Sequence, residues 1–283
     1  GQFLRLTLES FNMYKNFYGV NQYNNVVHVN TNLAVASDIT LTKQNYKTVG
    51  DIATNFASKL IAKLNADATN AGGFVATTVE PAGAAAIDDT GDRIINMVLE
   101  FQNGGAATAH GIASCVIQCR SVFGESAYLL GADIVTDVLD TASQSFTVTI
   151  AANTITVKGK YPAQRSTEEH VYLRTNLSNT NLESQGLSGT TAGSHILSSD
   201  ILAKIPIDHE FAHFTSNTGR EFFLNVPNKS ITQMRFYLRD SKDRHLPAAG
   251  EGTKQNTKGN LHCSFVLRVD TIEYPLAKFE MNT

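Results

Sequence analysis

The chain has 283 residues, of which 42% are hydrophobic and 17% are charged. The 23 Lys and Arg residues against 26 Asp and Glu give a formal net charge of -3, which argues against a nucleic-acid binder that relies on bulk positive charge. The apolar fraction suffices for one large domain or two modest ones and excludes a disordered chain.

The fraction of charged residues is low, and small polar residues are abundant instead, with 23 Asn and 29 Thr in the chain. Both residue types favour strands and turns over long exposed helices. No run of 18 apolar residues predicts a membrane-spanning helix, and the first residues do not resemble a signal peptide. Three cysteines are too few for a disulfide scaffold and indicate a reducing compartment.

The first half of the chain predicts strands around a single clear helix. Alternating apolar residues predict a strand at the start, followed by an aromatic stretch, Phe11–Tyr18, that we interpret as core or subunit packing. The helix is predicted over Val49–Leu64, because Thr48 and Asp51 form a capping box and apolar residues recur every four positions. Further strands are predicted at Val26–Val29, Asp38–Thr42, Phe74–Val79 and Arg93–Phe101.

The middle of the chain, residues 104–139, fits buried strands or short helices equally well. From Ser145 onward the pattern returns to strands separated by irregular loops of unequal length. This arrangement predicts a β-sandwich with Greek-key or jelly-roll connections. The predicted strands are Phe146–Ile150, Thr154–Lys158, His170–Leu177, Ile196–Ile205, Glu221–Val226, Ile231–Arg239 and Leu261–Val269.

One segment matches the zinc motif H-E-x-x-H through His209, Glu210 and His213. That chemistry needs both imidazoles on one face of a helix, with the glutamate aimed at a metal-bound water. Pro206 precedes the segment closely and a turn sequence follows it, so any helix here would be short. We therefore interpret the match as coincidental and expect no catalytic, metal or cofactor-binding residue, with a zinc metallopeptidase as the alternative.

Two other groups of residues could carry chemistry. Cys115 and Cys119 lie four apart near His110, but no second pair completes a zinc knuckle, so we expect buried apolar side chains. Phosphate-binding loops and the nucleophile elbow of hydrolases are absent from the sequence. A glycan-binding attachment module is a further alternative, which rests on analogy between jelly-roll proteins alone.

Several phrases of the chain resemble one family of viral proteins. They resemble the single jelly-roll penton and minor capsid proteins of giant DNA viruses, virophages and polinton-like viruses, over about two-thirds of the chain. The phrases are HVYLRTNL (170–177), NLES (181–184), ILAKIP (201–206), TGREFFLNVP (218–227), FYLRD (236–240) and the opening FNMYKNFY (11–18).

The resemblance implies a structural virion protein without enzyme activity and without cofactors. It implies a penton that closes five-fold vertices as a homopentamer beside the major capsid protein, or else a minor protein between capsomers. Such a protein would be made in the host cytoplasm and reside in the capsid. Because residues 38–140 exceed what a bare jelly roll needs, we predict a jelly roll of residues 1–37 plus 141–283 and an α+β insertion over 38–140.

Overall fold

The structure of the protein is a computed structural model. It describes residues 2–15, 17–68, 73–81, 96–104, 110–119, 125–134, 144–177, 200–208, 211–216, 222–226, 231, 233–246 and 262–273. These residues form strands far more than helices, so the predicted mainly-β fold class is confirmed. The elements are β1 (Gln2–Tyr14), β2 (Val26–Thr31), β3 (Ser37–Thr40), α1 (Val49–Asp67), β4 (Phe74–Glu80), β5 (Asn96–Asn103), β6 (Cys115–Gln118), α2 (Glu125–Leu130), β7 (Asp133–Ile134), β8 (Gln144–Ser145), β9 (Thr147–Ile150), β10 (Thr154–Pro162), β11 (His170–Thr175), β12 (Ile201–Asp208), β13 (Phe211–Thr215), β14 (Phe222–Val226), β15 (Phe236–Arg239) and β16 (Cys263–Glu273).

The chain divides into two compact units. The first unit combines Gly1–Phe17 with Glu168–Thr283, and the second is the continuous stretch Tyr18–Thr167. Residues 18–37 and 141–167, which the sequence assigned to the jelly roll, therefore belong to the second unit. The difference arises because β2 pairs along its length with β3 and β6, whereas alternation in a sequence does not say which strand is the partner.

The first unit is organised around β1. On one side β1 pairs with β16 along nearly its whole length. On the other side its first half pairs with β14 and its second half with β13. The sheet continues from β13 through β12 and β11 to β15, with all of these pairs antiparallel. This arrangement agrees with the predicted jelly-roll β-sandwich.

Alternation along β1 supplies much of the first core. Leu6, Leu8, Phe11 and Met13 are buried, and the spacing changes from two to three at the register shift between Leu8 and Ser10. A β-bulge at this place inserts one residue, so both halves of the strand keep their apolar side chains on one face. They pack with buried residues of the other strands, namely Val171, Leu173, Leu202, Ala203, Ile205, Ala212, Phe214, Leu224 and Val226.

The second unit contains two antiparallel sheets and a separate core. One sheet has the order β4-β5-β10-β9 and the other β3-β2-β6-β8-β7. The core takes side chains from both sheets and from both helices. It shares no residue with the core of the first unit, so each unit has its own hydrophobic source of stability.

Helix α1 confirms the predicted helix and its start. The Thr48 hydroxyl accepts from the Asp51 amide, and the Asp51 carboxylate accepts from the Thr48 amide. The apolar stripe of α1 is fully buried. The helix runs three residues beyond the predicted end at Leu64, where Asp67 accepts from Lys63 at 2.7 Å and from the Thr31 hydroxyl at 2.8 Å.

The ambiguous middle of the chain contains both kinds of element. Residues 115–118 form strand β6, and residues 125–130 form the short helix α2. Gly131 ends α2 with a positive φ of 73°, and a Cβ added there would lie 2.0 Å from the Tyr161 carbonyl oxygen. Glycine is therefore required at this turn by both backbone conformation and close approach.

Candidate assembly surface

The H-E-x-x-H match does not lie on a helix where the structure describes it. His209 and Glu210 fall outside the described residues. His213 is exposed on strand β13, and its Nδ1 atom lies 2.6 Å from the Asn12 side-chain oxygen. Strand geometry alternates side chains between two faces and does not provide the helical turn on which the zinc motif depends. The position of His213 is that of a sheet-surface residue.

Cys115 and Cys119 are free and buried in the second core, as expected. Burial raises the pKa of the Cys115 thiol to about 11 and that of the Cys119 thiol further still. Both side chains are therefore neutral thiols at neutral pH and pack as small hydrophobic groups. Among the described residues, no group of three or more His, Cys, Asp or Glu side chains could hold a metal ion.

An aromatic pair stands on the outer face of the sheet formed by β1 and β13. Tyr14 and Phe211 are directly paired across the strands, with ring centroids 4.6 Å apart. Their exposed fractions are 60% and 47%, whereas Phe11 and Phe17 from the same aromatic stretch are buried. Core or subunit packing was predicted for this aromatic stretch. Phe11 and Phe17 pack in the core, whereas Tyr14 is available for contact with another molecule.

A charged cluster follows on the same outer face, along β1 and β16. Arg268 lies 2.7 Å from Glu9 and 2.8 Å from Asp270, and the Ser216 hydroxyl donates to Glu9 at 3.0 Å. These groups are partly solvated, so the ion pairs add little to folding stability. They do fix the direction of the Arg268 and Asp270 side chains on the surface.

Among the described residues, strand β16 pairs with β1 and with no other strand. Val269 is directly opposite Leu6, so the two side chains share the core face, yet Leu6 is buried and Val269 is 50% exposed. The predicted strand ended at Val269, whereas the observed strand continues to Glu273.

Two buried acids anchor the turn that follows β15. Asp240 accepts from the Lys242 amide and, at 2.7 Å, from both the backbone and the side chain of Arg244. Glu168 accepts from the amide and hydroxyl of Ser241 and pairs with Lys242 at 3.3 Å. The contact of this turn with Glu168 was not predicted, because no local pattern in the sequence joins residues 73 positions apart.

A shallow groove of about 380 Å³ lies beside β12 and β14. Its described lining is mainly apolar and includes the single cation Lys204, whose ammonium lies 6.0 Å from the Tyr172 ring centroid. A lining of this kind favours contact with an apolar surface. Its residues are Tyr172, Ile201, Leu202, Ala203, Lys204, Phe222 and Phe223.

Comparisons with known proteins gave matches among solved structures alone. No protein-family model matches the chain, and no curated protein matches it. The mavirus penton protein aligns with 96% of this chain and 86% of its own, at 10% identity and a TM-score of 0.47. The Sputnik virophage structure determined by cryo-EM aligns with 94% of this chain and 87% of its own, at 12% identity and a TM-score of 0.37. Both TM-scores are below 0.5, so the function is argued below from the residues of this chain.

Within the described residues, no helix combines the length and apolarity that crossing a membrane would require.

Proposed function

We propose that the chain is a structural protein of an icosahedral DNA-virus capsid and that it closes the five-fold vertices as a homopentameric penton. The main support for this proposal is the position in the fold of the phrases that resemble the family. Phrases 11–18, 170–177, 201–206, 218–227 and 236–240 contribute to β1, β11, β12, β14 and β15. These strands belong to one mainly-β unit, so the resemblance coincides with a folding unit and its core.

The surface of the first unit supports a role in assembly. Tyr14, Phe211, Val266 and Val269 place apolar groups in solvent on ordered strands. Exposed aromatic and aliphatic side chains are typical of surfaces that another subunit covers. In a capsid, those partners would be further copies of this chain and the major capsid protein.

Native mass spectrometry of the purified chain tests the vertex role. A ring at a five-fold axis is closed by heterologous contacts, so it must contain five copies of the 30.7 kDa chain. Negative-stain class averages should show a five-membered ring. The double variant Tyr14→Ser with Phe211→Ser removes the exposed aromatic pair without touching the core, and it is measured beside the unaltered chain. A stable trimer would contradict the vertex role.

A minor capsid protein that joins neighbouring capsomers is the second candidate. The same family resemblance implies this role. Such a protein would be a monomer, dimer or trimer in solution. The same mass measurement therefore separates the two capsid roles.

Two rivals from other classes have direct tests. A zinc hydrolase that uses His209, Glu210 and His213 would contain stoichiometric zinc that is lost in His213→Ala, so metal analysis of both proteins decides the question. A glycan-binding module would give reproducible binding on a glycan array. Either positive result would replace the structural role with another activity.

A further inference from the structure

The groove beside β12 and β14 carries positive charge against two of its aromatic lining residues. Lys204 lines the groove, and its ammonium lies 6.0 Å from the ring centroid of Tyr172, a second lining residue. The guanidinium of Arg5 on β1 lies 4.6 Å from the ring centroid of Phe223, a third lining residue that is 39% exposed. The groove therefore combines an apolar surface with two cations that come from different strands.

Neutral groups hold Arg5 in one orientation. Its Nε atom donates to the Asn225 side-chain oxygen at 3.0 Å, and the Phe3 ring centroid lies 6.0 Å from the guanidinium. Asp270 stands directly across from Arg5 on β16, but its carboxylate is bound by Arg268 at 2.8 Å. A guanidinium that is already oriented loses little freedom when its terminal nitrogens bind a carboxylate in bidentate fashion.

The groove offers positive charge without a matching negative charge. Its described lining contains no acidic side chain. Among the described residues, neither Arg5 nor Lys204 forms an ion pair with a carboxylate. A surface of one sign of charge attracts and orients a partner of the opposite sign. The occupant that fits this groove is therefore both apolar and anionic.

A polypeptide segment fits these two properties better than a nucleic acid does. Nucleic-acid binding grows with the number of phosphates that are neutralised, and this site supplies only two cations. The apolar lining around Ile201, Phe222 and Phe223 suits aliphatic or aromatic side chains. An extended peptide presents side chains on one side at every second residue, so acidic and apolar groups can meet the groove together.

The carboxylates that would bind Arg5 and Lys204 are best supplied by a different protein. Several carboxylates on the described surface of this chain already bind its own cations. A second copy would bring the same paired groups, whereas another protein can bring unpaired ones. These pairs are His28–Asp38, Lys160–Asp133, Arg174–Asp200, Arg268–Glu9 and Arg268–Asp270.

We propose that the groove beside β12 and β14 binds an extended acidic segment of a different protein. Apolar side chains of the segment pack on the lining residues, and its carboxylates bind Arg5 and Lys204. This inference goes beyond the proposed capsid role and does not depend on it, because a segment can bind one chain alone or every chain of a ring.

Fluorescence anisotropy with the purified full chain tests the proposal. The probes are labelled peptides with one aspartate at each end of an alternating leucine–serine stretch of about four, six or eight residues, which spans roughly 15–30 Å. The control peptides carry lysine in place of aspartate. We expect at least one aspartate peptide to bind about tenfold or more tightly than its lysine counterpart. A labelled single-stranded oligonucleotide of similar length should bind more weakly than that peptide.

Variants of the two cations locate the binding site. Arg5→Gln and Lys204→Gln should each weaken binding of the aspartate peptide about tenfold, because each removes one charge-assisted contact. Lys158→Gln is the matched control, since Lys158 is an exposed cation on β10 in the second unit, and it should leave binding unchanged. Circular dichroism verifies folding, and the exposed Lys204 provides the test even if Arg5→Gln does not fold.

The outcomes separate this inference from the vertex role. Absence of peptide binding, equal affinity for Lys204→Gln and the unaltered chain, or tighter binding of the oligonucleotide would overturn the proposal. The double variant Arg5→Gln with Lys204→Gln should lose the peptide and keep its oligomeric state in native mass spectrometry. Loss of the oligomer would show that a second copy occupies the groove, which would also overturn the proposal. A pentamer that binds no peptide would leave the vertex role intact.

Discussion

Substituting Phe56 by alanine should destabilise the second unit selectively. Phe56 lies in the middle of α1, is fully buried, and has its ring centroid 5.5 Å from that of Phe146. It belongs to an apolar stripe with Ile52, Leu60 and Leu64, all of them completely buried. Removing the ring therefore leaves a cavity at the contact between the helix and the sheets.

The expected loss is about 3–5 kcal/mol, the range for truncating a buried phenylalanine. A unit the size of Tyr18–Thr167, about 150 residues, has a typical stability of about 5–15 kcal/mol. The same loss lowers the melting temperature of such a unit by about 6–20 °C. Lys59→Ala, on the exposed face of the same helix, should change stability by no more than about 0.5 kcal/mol.

Hydrogen exchange followed by mass spectrometry locates the effect. In Phe56→Ala the peptides of Tyr18–Thr167 should exchange faster, while those of Gly1–Phe17 and Glu168–Thr283 stay unchanged. Phe11→Ala should give the reciprocal result, because Phe11 is fully buried in the first core. If either variant accelerates exchange equally in both units, the chain unfolds as one cooperative body and the division into two cores is wrong.

Three further predictions concern the first unit. Replacing residues 18–167 by a short Gly-Ser linker should leave a folded β protein. Met13, Ala212, Ile207 and Glu169 lie on successive hydrogen-bonded strands, so Met13 and Glu169, near the two cut ends, lie about three strand spacings, or roughly 15 Å, apart. A molten product by near-UV circular dichroism would contradict this. Asp240→Ala should lower the free energy of unfolding in urea by about 3 kcal/mol, because Asp240 is buried and accepts three hydrogen bonds. Asp200 is half-exposed, so Asp200→Ala should lower it by less than about 1 kcal/mol. Equal losses for the two variants would contradict a stabilising role of the Asp240 hydrogen bonds. Burial and the positive charge of Lys204 lower the pKa of His170 from its ordinary 6.5. As pH falls, the unfolded chain therefore protonates at this histidine before the folded chain does, and the free energy of unfolding should decrease below about pH 6.5. His170→Gln should flatten that part of the pH profile of stability, and an unchanged profile would exclude a contribution from His170.

Local signals in the sequence predicted the elements that local chemistry controls. The start of α1 follows from the capping box of Thr48 and Asp51, and its burial follows from the apolar stripe. The inward faces of β1 and β5 follow from alternation, as the buried Met97, Leu99 and Phe101 of β5 show. These features depend on residues at most a few positions apart.

Features that depend on distant partners were not predictable in the same way. Strand β2 was assigned to the jelly roll, yet it pairs with β6 in the second unit. The contact of Glu168 with the turn at Ser241 joins residues 73 positions apart. The exposure of Val269 depends on what lies beside the strand, whereas its apolar character alone predicts burial. Tertiary pairing decides each of these cases.

Native mass spectrometry of the purified full chain over a range of concentrations tests whether this chain is an assembly protein of a capsid. We expect a closed ring of five copies, and five-fold symmetric particles in class averages of the same sample. A dimer alone would preserve the capsid role but move the chain to a position between capsomers. A chain that stays monomeric at about 100 μM, well above the concentrations at which stable interfaces associate, would contradict a role in capsid assembly.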